Sequence, residues 1–200
     1  MTKSIDFYFD YSSPYGYFAA MKIDDFAARH GRGVSWQPIL LGAVFKVTGA
    51  QPLPMLPLKG TYAMRDIARS ARFHGVAYKH PAKFPIASQA PARAFYWLNE
   101  RDPALAKKLA LTLYQAYFVG DRDISSPEIT ADVAATLGLK RDEVLAALND
   151  AAVKDKLKNE VEAAIKLGVF GSPYIVIDGE PFWGMDRFDQ IERWLAKGPF

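Results

Sequence analysis

The sequence predicts an α/β fold in which a β-α-β unit and an α-β-β-α unit flank an all-helical insertion. Three observations carry this. Ile5, Phe7 and Phe9 alternate with Asp6 and Tyr8 in aromatic-rich company, then run straight into a Ser13-Pro14 helix start. Near the other end, the β-branched run Tyr174-Ile-Val-Ile177 meets Asp178-Gly179, a strong two-residue hairpin signal, and returns as Pro181-Phe-Trp183. Between these two parts, from 46 to 152, the periodic segments have helical spacing throughout.

The elements follow in order. Tyr17, Phe18, Met21, Ile23 and Phe26 recur at helical spacing, so a helix is expected from Ser13 to about Arg29, with Gly31 at its C-terminal cap. Val34, Trp36 and Pro38-Ile-Leu-Leu41 read as a second strand and its exit, parallel to the first through the crossover helix. Pro52, Pro54 and Pro57 then make 48–59 an extended loop. Helices are expected over about 59–73, 88–99, 103–119, 126–138, 140–149 and 153–167, with Ser126 as an N-cap. After the hairpin, Phe188, Ile191, Trp194 and Leu195 share one face of a last helix from Arg187 to Ala196, with Asp186 as its cap. Parallel first strands, an antiparallel final hairpin and flanking helices make the thioredoxin arrangement. On this reading residues 1–45 and 153–200 form a discontinuous thioredoxin-like domain, and 46–152 form the inserted helical domain.

Composition narrows the function. The chain has 200 residues, half of them apolar and 14% aromatic, enough for a sizeable core. Its net charge of +3 is small and its Lys and Arg are scattered, so no basic stripe marks a nucleic-acid partner. There is no cysteine, which excludes disulfide scaffolding, a thiol nucleophile and CxxC redox chemistry within the chain. Met1-Thr2-Lys3-Ser4 shows no signal-peptide pattern, and no apolar run approaches the ~20 residues of a membrane helix. The expectation is a soluble, cytoplasmic protein without a membrane partner. His30, His74 and His80 have the spacing of no metal site and read as surface or cap residues.

The first strand and the helix after it deliver Ser13 to a helix N-terminus, where backbone N–H groups point outward and an anion is favoured. Ser13-Pro14 alone is most often an ordinary cap, and Ser12 is a competing hydroxyl. Asp10 reads as a strand-end residue, and Phe95-Tyr96-Trp97 as helical-domain core or the wall of a cleft between the domains.

Four motifs in this order resemble those of the kappa-class glutathione transferases, and within that group most the bacterial 2-hydroxychromene-2-carboxylate isomerases. They are Asp10-Tyr-Ser-Ser13-Pro14-Tyr15, Lys59 after the proline-rich loop, Phe170-Gly-Ser-Pro173, and Trp183-Gly-Met-Asp186-Arg187. The resemblance covers essentially the whole chain. It implies a DsbA-like thioredoxin fold, glutathione as cofactor, a homodimer, and a small aromatic-derived substrate. Ser13 would donate to the bound thiol and stabilise its thiolate. Pro173 would follow a cis bond that exposes Ser172 as a backbone edge for the cysteinyl group. The Met185 N–H would meet the γ-glutamyl carboxylate, Asp186 its ammonium, and Lys59 a carboxylate from across the cleft. In the isomerases, the thiolate adds to an electron-poor ring carbon, the ring opens, a bond rotates, and the thiol is eliminated.

Two positions depart from the family pattern. Ala50, beside Gln51, stands where the family commonly has Asn, and Met185 where it often has Asn or Ser. Backbone contacts survive both changes and side-chain contacts do not. Two further readings stand beside the isomerase: a transferase acting on other electrophiles, and a non-catalytic thioredoxin-like module that binds peptides at the Pro173 edge.

Overall fold

The computed structural model describes residues 4–200; Met1-Thr2-Lys3 of the expected lead-in lie outside the described residues. Four strands, β1 (Ser4–Phe9), β2 (Gly33–Pro38), β3 (Tyr174–Ile177) and β4 (Glu180–Trp183), form one sheet in the order β2-β1-β3-β4. β1 and β2 are parallel, with Phe7 opposite Trp36. β3 is antiparallel to β1, with Phe7 opposite Ile175, and β4 is antiparallel to β3. Asp178 and Gly179 have φ of 53° and 91°, the two positive values that a primed hairpin turn needs. Pro181 lies on an edge strand, where its missing N–H breaks no ladder. This is the mixed sheet expected for the thioredoxin arrangement.

The helices are α1 (Pro14–Ala20), α2 (Ile23–Arg29), α3 (Leu41–Thr48), α4 (Lys59–His74), α5 (Gln89–Asn99), α6 (Pro103–Phe118), α7 (Pro127–Ala135), α8 (Arg141–Asn149), α9 (Ala151–Lys166) and α10 (Phe188–Lys197). The two-residue period of β1 puts Ile5, Phe7 and Phe9 on one face, each with no exposed surface. Trp36 stands edge-on to both Phe rings, and Phe9 also meets Phe95 of α5 and Tyr114 of α6. The strand face is thus covered by helices of the 46–152 stretch, at about 1.5–3 kcal/mol for each large apolar side chain buried. The opposite face carries Tyr8 and Tyr174, packed with Ile39, Val44, Ala164 and Val169 in a smaller cluster. Phe95, Tyr96 and Trp97 are buried in the core, and the Tyr96 hydroxyl donates to the Pro38 carbonyl at 2.9 Å.

Three local expectations are corrected. The first helix is two: at Met21-Lys22 the Lys22 N–H bonds back three residues to Ala19 instead of four. The second piece is re-aimed and held through Asp24, which accepts from Trp36 Nε1 at 3.1 Å and Lys107 Nζ at 2.8 Å. The strand exit at Pro38–Leu41 is followed by α3, an eight-residue helix without a side-chain N-cap that buries only Val44 fully; Gly49, φ 72°, ends it. Asp186 does not cap the last helix. It lies inside a 3-10 turn, Met185–Arg187, and no side chain caps α10.

The histidines occupy ends and loops. His30 caps α2, His74 ends α4, and His80 pairs through Nδ1 with the Tyr78 hydroxyl at 2.8 Å. Among the described residues no group of three or more His, Cys, Asp or Glu side chains is placed to hold a metal ion. No helix among them is long and apolar enough to cross a membrane.

Candidate active site around Ser13

β1 ends at Phe9, and Asp10–Ser13 turns the chain into α1. The Ser13 N–H donates to the Asp10 carbonyl at 2.9 Å, and Ser13 then caps α1 by accepting from the Gly16 N–H at 3.0 Å. Pro14 occupies the first helical position, where its lack of an N–H costs nothing. The Ser13 hydroxyl donates to the Ser172 carbonyl at 2.9 Å. Ser13 is buried, so this bond forms in a setting where a missing partner is costly.

The Ser172–Pro173 bond is cis. The Ser172 hydroxyl accepts from the Asp10 N–H at 2.9 Å, while the Ser172 N–H makes no hydrogen bond among the described residues. The Pro173 carbonyl accepts from the Gly184 N–H at 3.1 Å, which ties the cis-proline loop to the 3-10 turn that follows. α1 packs against that turn. Ser13, Ser172, Pro173, Met185 and Asp186 therefore share one neighbourhood. Met185 is buried, whereas the Asp186 side chain is 72% exposed and meets Arg187 at 3.3 Å, an exposed pair that stabilises by at most about 1 kcal/mol.

Lys59 opens α4, is exposed, and makes no ion pair among the described residues. Gly60 beside it lets the Pro54 carbonyl approach where a Cβ would collide, which clamps the proline-rich loop to the helix start. α4 packs on α1, and the Tyr15 hydroxyl donates to Asp66 Oδ2 at 2.5 Å. Burial first, and Asp66 second, raise the Tyr15 hydroxyl pKa well above its ordinary range. Lys59 lies two helical turns before Asp66, ~10 Å along the axis. Among the described residues, the hydrogen-bond partners of the Ser13 hydroxyl are Ser172 and Gly16, not Lys59.

Two features differ from expectation. α1 has only seven residues, so its dipole offers an anion little. Ser12 has a bracing role: its Oγ accepts from the Ile86 N–H at 3.1 Å and its own N–H donates to Asp10 Oδ1 at 2.6 Å. The hydrogen of its hydroxyl finds no acceptor among the described residues.

The sequence reading undervalued Asp10, Ser88 and Tyr114. Asp10 is 2% exposed, and its carboxylate accepts from the Leu41 N–H at 2.7 Å and the Ser88 hydroxyl at 2.9 Å, besides Ser12. The Tyr114 hydroxyl donates to the Asp10 carbonyl at 2.9 Å. Burial raises the Asp10 pKa, and the donors from Leu41, Ser12 and Ser88 oppose it. The sequence carried two signals for Asp10, an acid at the end of an apolar strand, which fits many strand ends, and its place in the Asp10–Tyr15 motif, and neither pointed to its partners.

Residues 4–196 match the model of the DsbA-like thioredoxin domain family. The chain is 28% identical to glutathione S-transferase kappa 2 of Caenorhabditis elegans, covering 98% of this chain and 95% of that one. It is also 28% identical to a 2-hydroxychromene-2-carboxylate isomerase of Sphingobium xenophagum, covering 98% and 99%. A solved structure of a 2-hydroxychromene-2-carboxylate isomerase matches with a TM-score of 0.87 and 26% identity over 97% of this chain and 95% of that one. The match runs from β1 through the cis-proline loop to α10, and with the sheet order it makes this chain a member of the DsbA-like thioredoxin domain family.

Proposed function

We propose that this protein is a glutathione-dependent enzyme in which Ser13 stabilises the bound thiolate, and that it isomerises a 2-hydroxychromene-2-carboxylate-type aromatic acid. One observation carries the reading: in a chain without cysteine, Ser13 Oγ is fixed by the Gly16 N–H at 3.0 Å and faces the cis-proline edge at 2.9 Å. Bound glutathione supplies the sulfur nucleophile that the chain lacks. A free thiol of pKa about 8.5 is only a few per cent ionised at neutral pH. With the oxygen of Ser13 held by the cap, its hydrogen can turn from the Ser172 carbonyl to the sulfur while the heavy atoms stay in place. A charge-assisted hydrogen bond of this kind is roughly twice as strong as a neutral one, and one pKa unit corresponds to about 1.4 kcal/mol.

The remaining residues fit a γ-glutamyl tripeptide. The Ser172 N–H is without an acceptor among the described residues and can pair with the cysteinyl backbone as an added strand. Asp186, exposed on the turn after Gly184, meets an ammonium, and the Met185 N–H a carboxylate. Lys59, unpaired among the described residues, is a cation for a second carboxylate. Ala50 and Met185 offer no polar side chain, so they weaken the chromene-type assignment more than glutathione binding. Equal identity to a kappa transferase and to an isomerase keeps transfer to other electrophiles as the second reading. The proposal includes a cytoplasmic homodimer. Pairing would cover the exposed Val47, Met55, Leu58 and Tyr62 around α3 and the start of α4, and gel filtration tests it.

The first experiment is a thermal shift and affinity retention at millimolar glutathione. Binding followed by turnover of a hydroxychromene carboxylate supports the isomerase. Turnover of other electrophiles alone supports the transferase. Absence of both shift and retention leaves the peptide-binding module.

A further inference from the structure

We infer that Asp10 is a positioning residue, whose side chain sets the turn that presents Ser13 to the Ser172 edge. The inference rests on the reading of Ser13 as the thiolate donor. Asp10, Ser13 and Ser172 form a closed ring of hydrogen bonds. The Ser13 N–H donates to the Asp10 carbonyl at 2.9 Å, the Ser13 hydroxyl to the Ser172 carbonyl at 2.9 Å, and the Asp10 N–H to the Ser172 hydroxyl at 2.9 Å. Two corners of this ring are the residues that would meet the sulfur and the cysteinyl backbone. The third is Asp10, which touches neither.

The side chain of Asp10 holds that third corner still. Oδ1 accepts from the Ser12 N–H two residues on, an Asx turn that fixes the backbone between β1 and Ser13. Oδ2 accepts from the Leu41 N–H at the start of α3 and from Ser88 at the start of α5. The Tyr114 hydroxyl of α6 adds a second donor on the Asp10 carbonyl. One residue thus binds the Ser12–Ser13 turn, the cis-proline loop and three helices. A buried carboxylate without a cation is costly, and a neutral side chain would be cheaper if filling space were its whole task. Both oxygens face backbone N–H groups, from Ser12 and from Leu41. An amide cannot replace them, because its NH2 would face one of these donors whichever way it turned.

Asp10→Asn tests the inference in two ways. Without glutathione, amide hydrogen exchange at Ser12 and Ser13 should quicken by about tenfold, equivalent to about 1.4 kcal/mol, while β1 amides keep their protection. With glutathione, kcat should fall about tenfold and the bound-thiol pKa rise by about one unit, with glutathione affinity changed less than about twofold. A folded Asp10→Asn protein with a lower Tm but unchanged exchange at Ser12 and Ser13, unchanged kcat and unchanged thiol pKa would make Asp10 purely structural and overturn the inference. Should that variant not fold, Ser88→Ala removes one donor from Oδ2. It should quicken exchange at Ser12 and Ser13 in the same direction, and no change there overturns the inference equally. If wild-type protein binds no glutathione, the thiolate reading fails, and the exchange result still decides the role of Asp10.

Discussion

The Ser13 hydroxyl and the Ser172 carbonyl meet at 2.9 Å although 159 positions separate them in the chain. The bond closes the first β-α unit onto the last hairpin and brings a hydroxyl donor to a backbone edge. Its closeness depends on Gly16. A Cβ there would lie 2.6 Å from Ser172 Oγ and 3.0 Å from the Tyr114 hydroxyl.

Gly16→Ala should therefore push α1 away from the cis-proline loop. We expect a loss of about 1–3 kcal/mol in stability by urea denaturation, with a fall in kcat. Gly42→Ala is the control. A Cβ there meets nothing within 4 Å and the position is helical, so stability should not fall.

Tyr11 is wholly buried, and its hydroxyl has no hydrogen-bond partner among the described residues. Removing an unpaired buried hydroxyl relieves desolvation, so Tyr11→Phe should stabilise the fold by about 1 kcal/mol. Tyr114→Phe should cost about 1 kcal/mol, because that hydroxyl is bonded to the Asp10 carbonyl. Paired chemical denaturation of the two variants gives opposite signs.

How far the sequence was legible follows from range. β1, the Asp178-Gly179 turn, the Ser126 cap and α4 to α9 rest on local patterns and appear near the expected places. The break at Lys22 has no Gly or Pro to mark it, and the contact of Asp24 with Lys107 beside it spans 83 positions. α3 escaped because Leu41–Thr48 is a short apolar run that opens without a side-chain cap, and such a run after a strand reads equally as its exit. At the candidate site, the Ser13 cap was legible from Ser-Pro after a strand, and the cis Ser172–Pro173 bond from its motif. Asp10 was not, because its importance lies in partners at Leu41, Ser88 and Ser172. The Ser12 hydroxyl stays a rival: its oxygen accepts from the Ile86 N–H, and its hydrogen is given to no acceptor among the described residues.

Acid should weaken the fold through His80. Burial lowers its pKa below the ordinary 6.5, against an opposing pull from Asp121. With the folded value below the unfolded one, the unfolded chain binds the extra proton. Stability from this group is then full above pH 6.5 and is lost as pH falls from there towards the folded value. Tm should decline across that window, and His80→Gln should flatten the decline. An unchanged slope removes His80 as its cause.

Lys59 is exposed and unpaired among the described residues, so Lys59→Ala should leave Tm unchanged. Its loss should weaken glutathione binding by roughly threefold to tenfold, with a smaller effect in high salt, as screening of a charge pair requires. Calorimetric titration at two ionic strengths checks both parts.

The most direct test of the central claim is a pH titration of the bound glutathione thiol by its thiolate absorbance, in wild-type and Ser13→Ala proteins. The account predicts a wild-type value well below the free thiol's about 8.5 and a rise of about one unit or more in Ser13→Ala, with binding nearly intact. The same pKa in both proteins would contradict it.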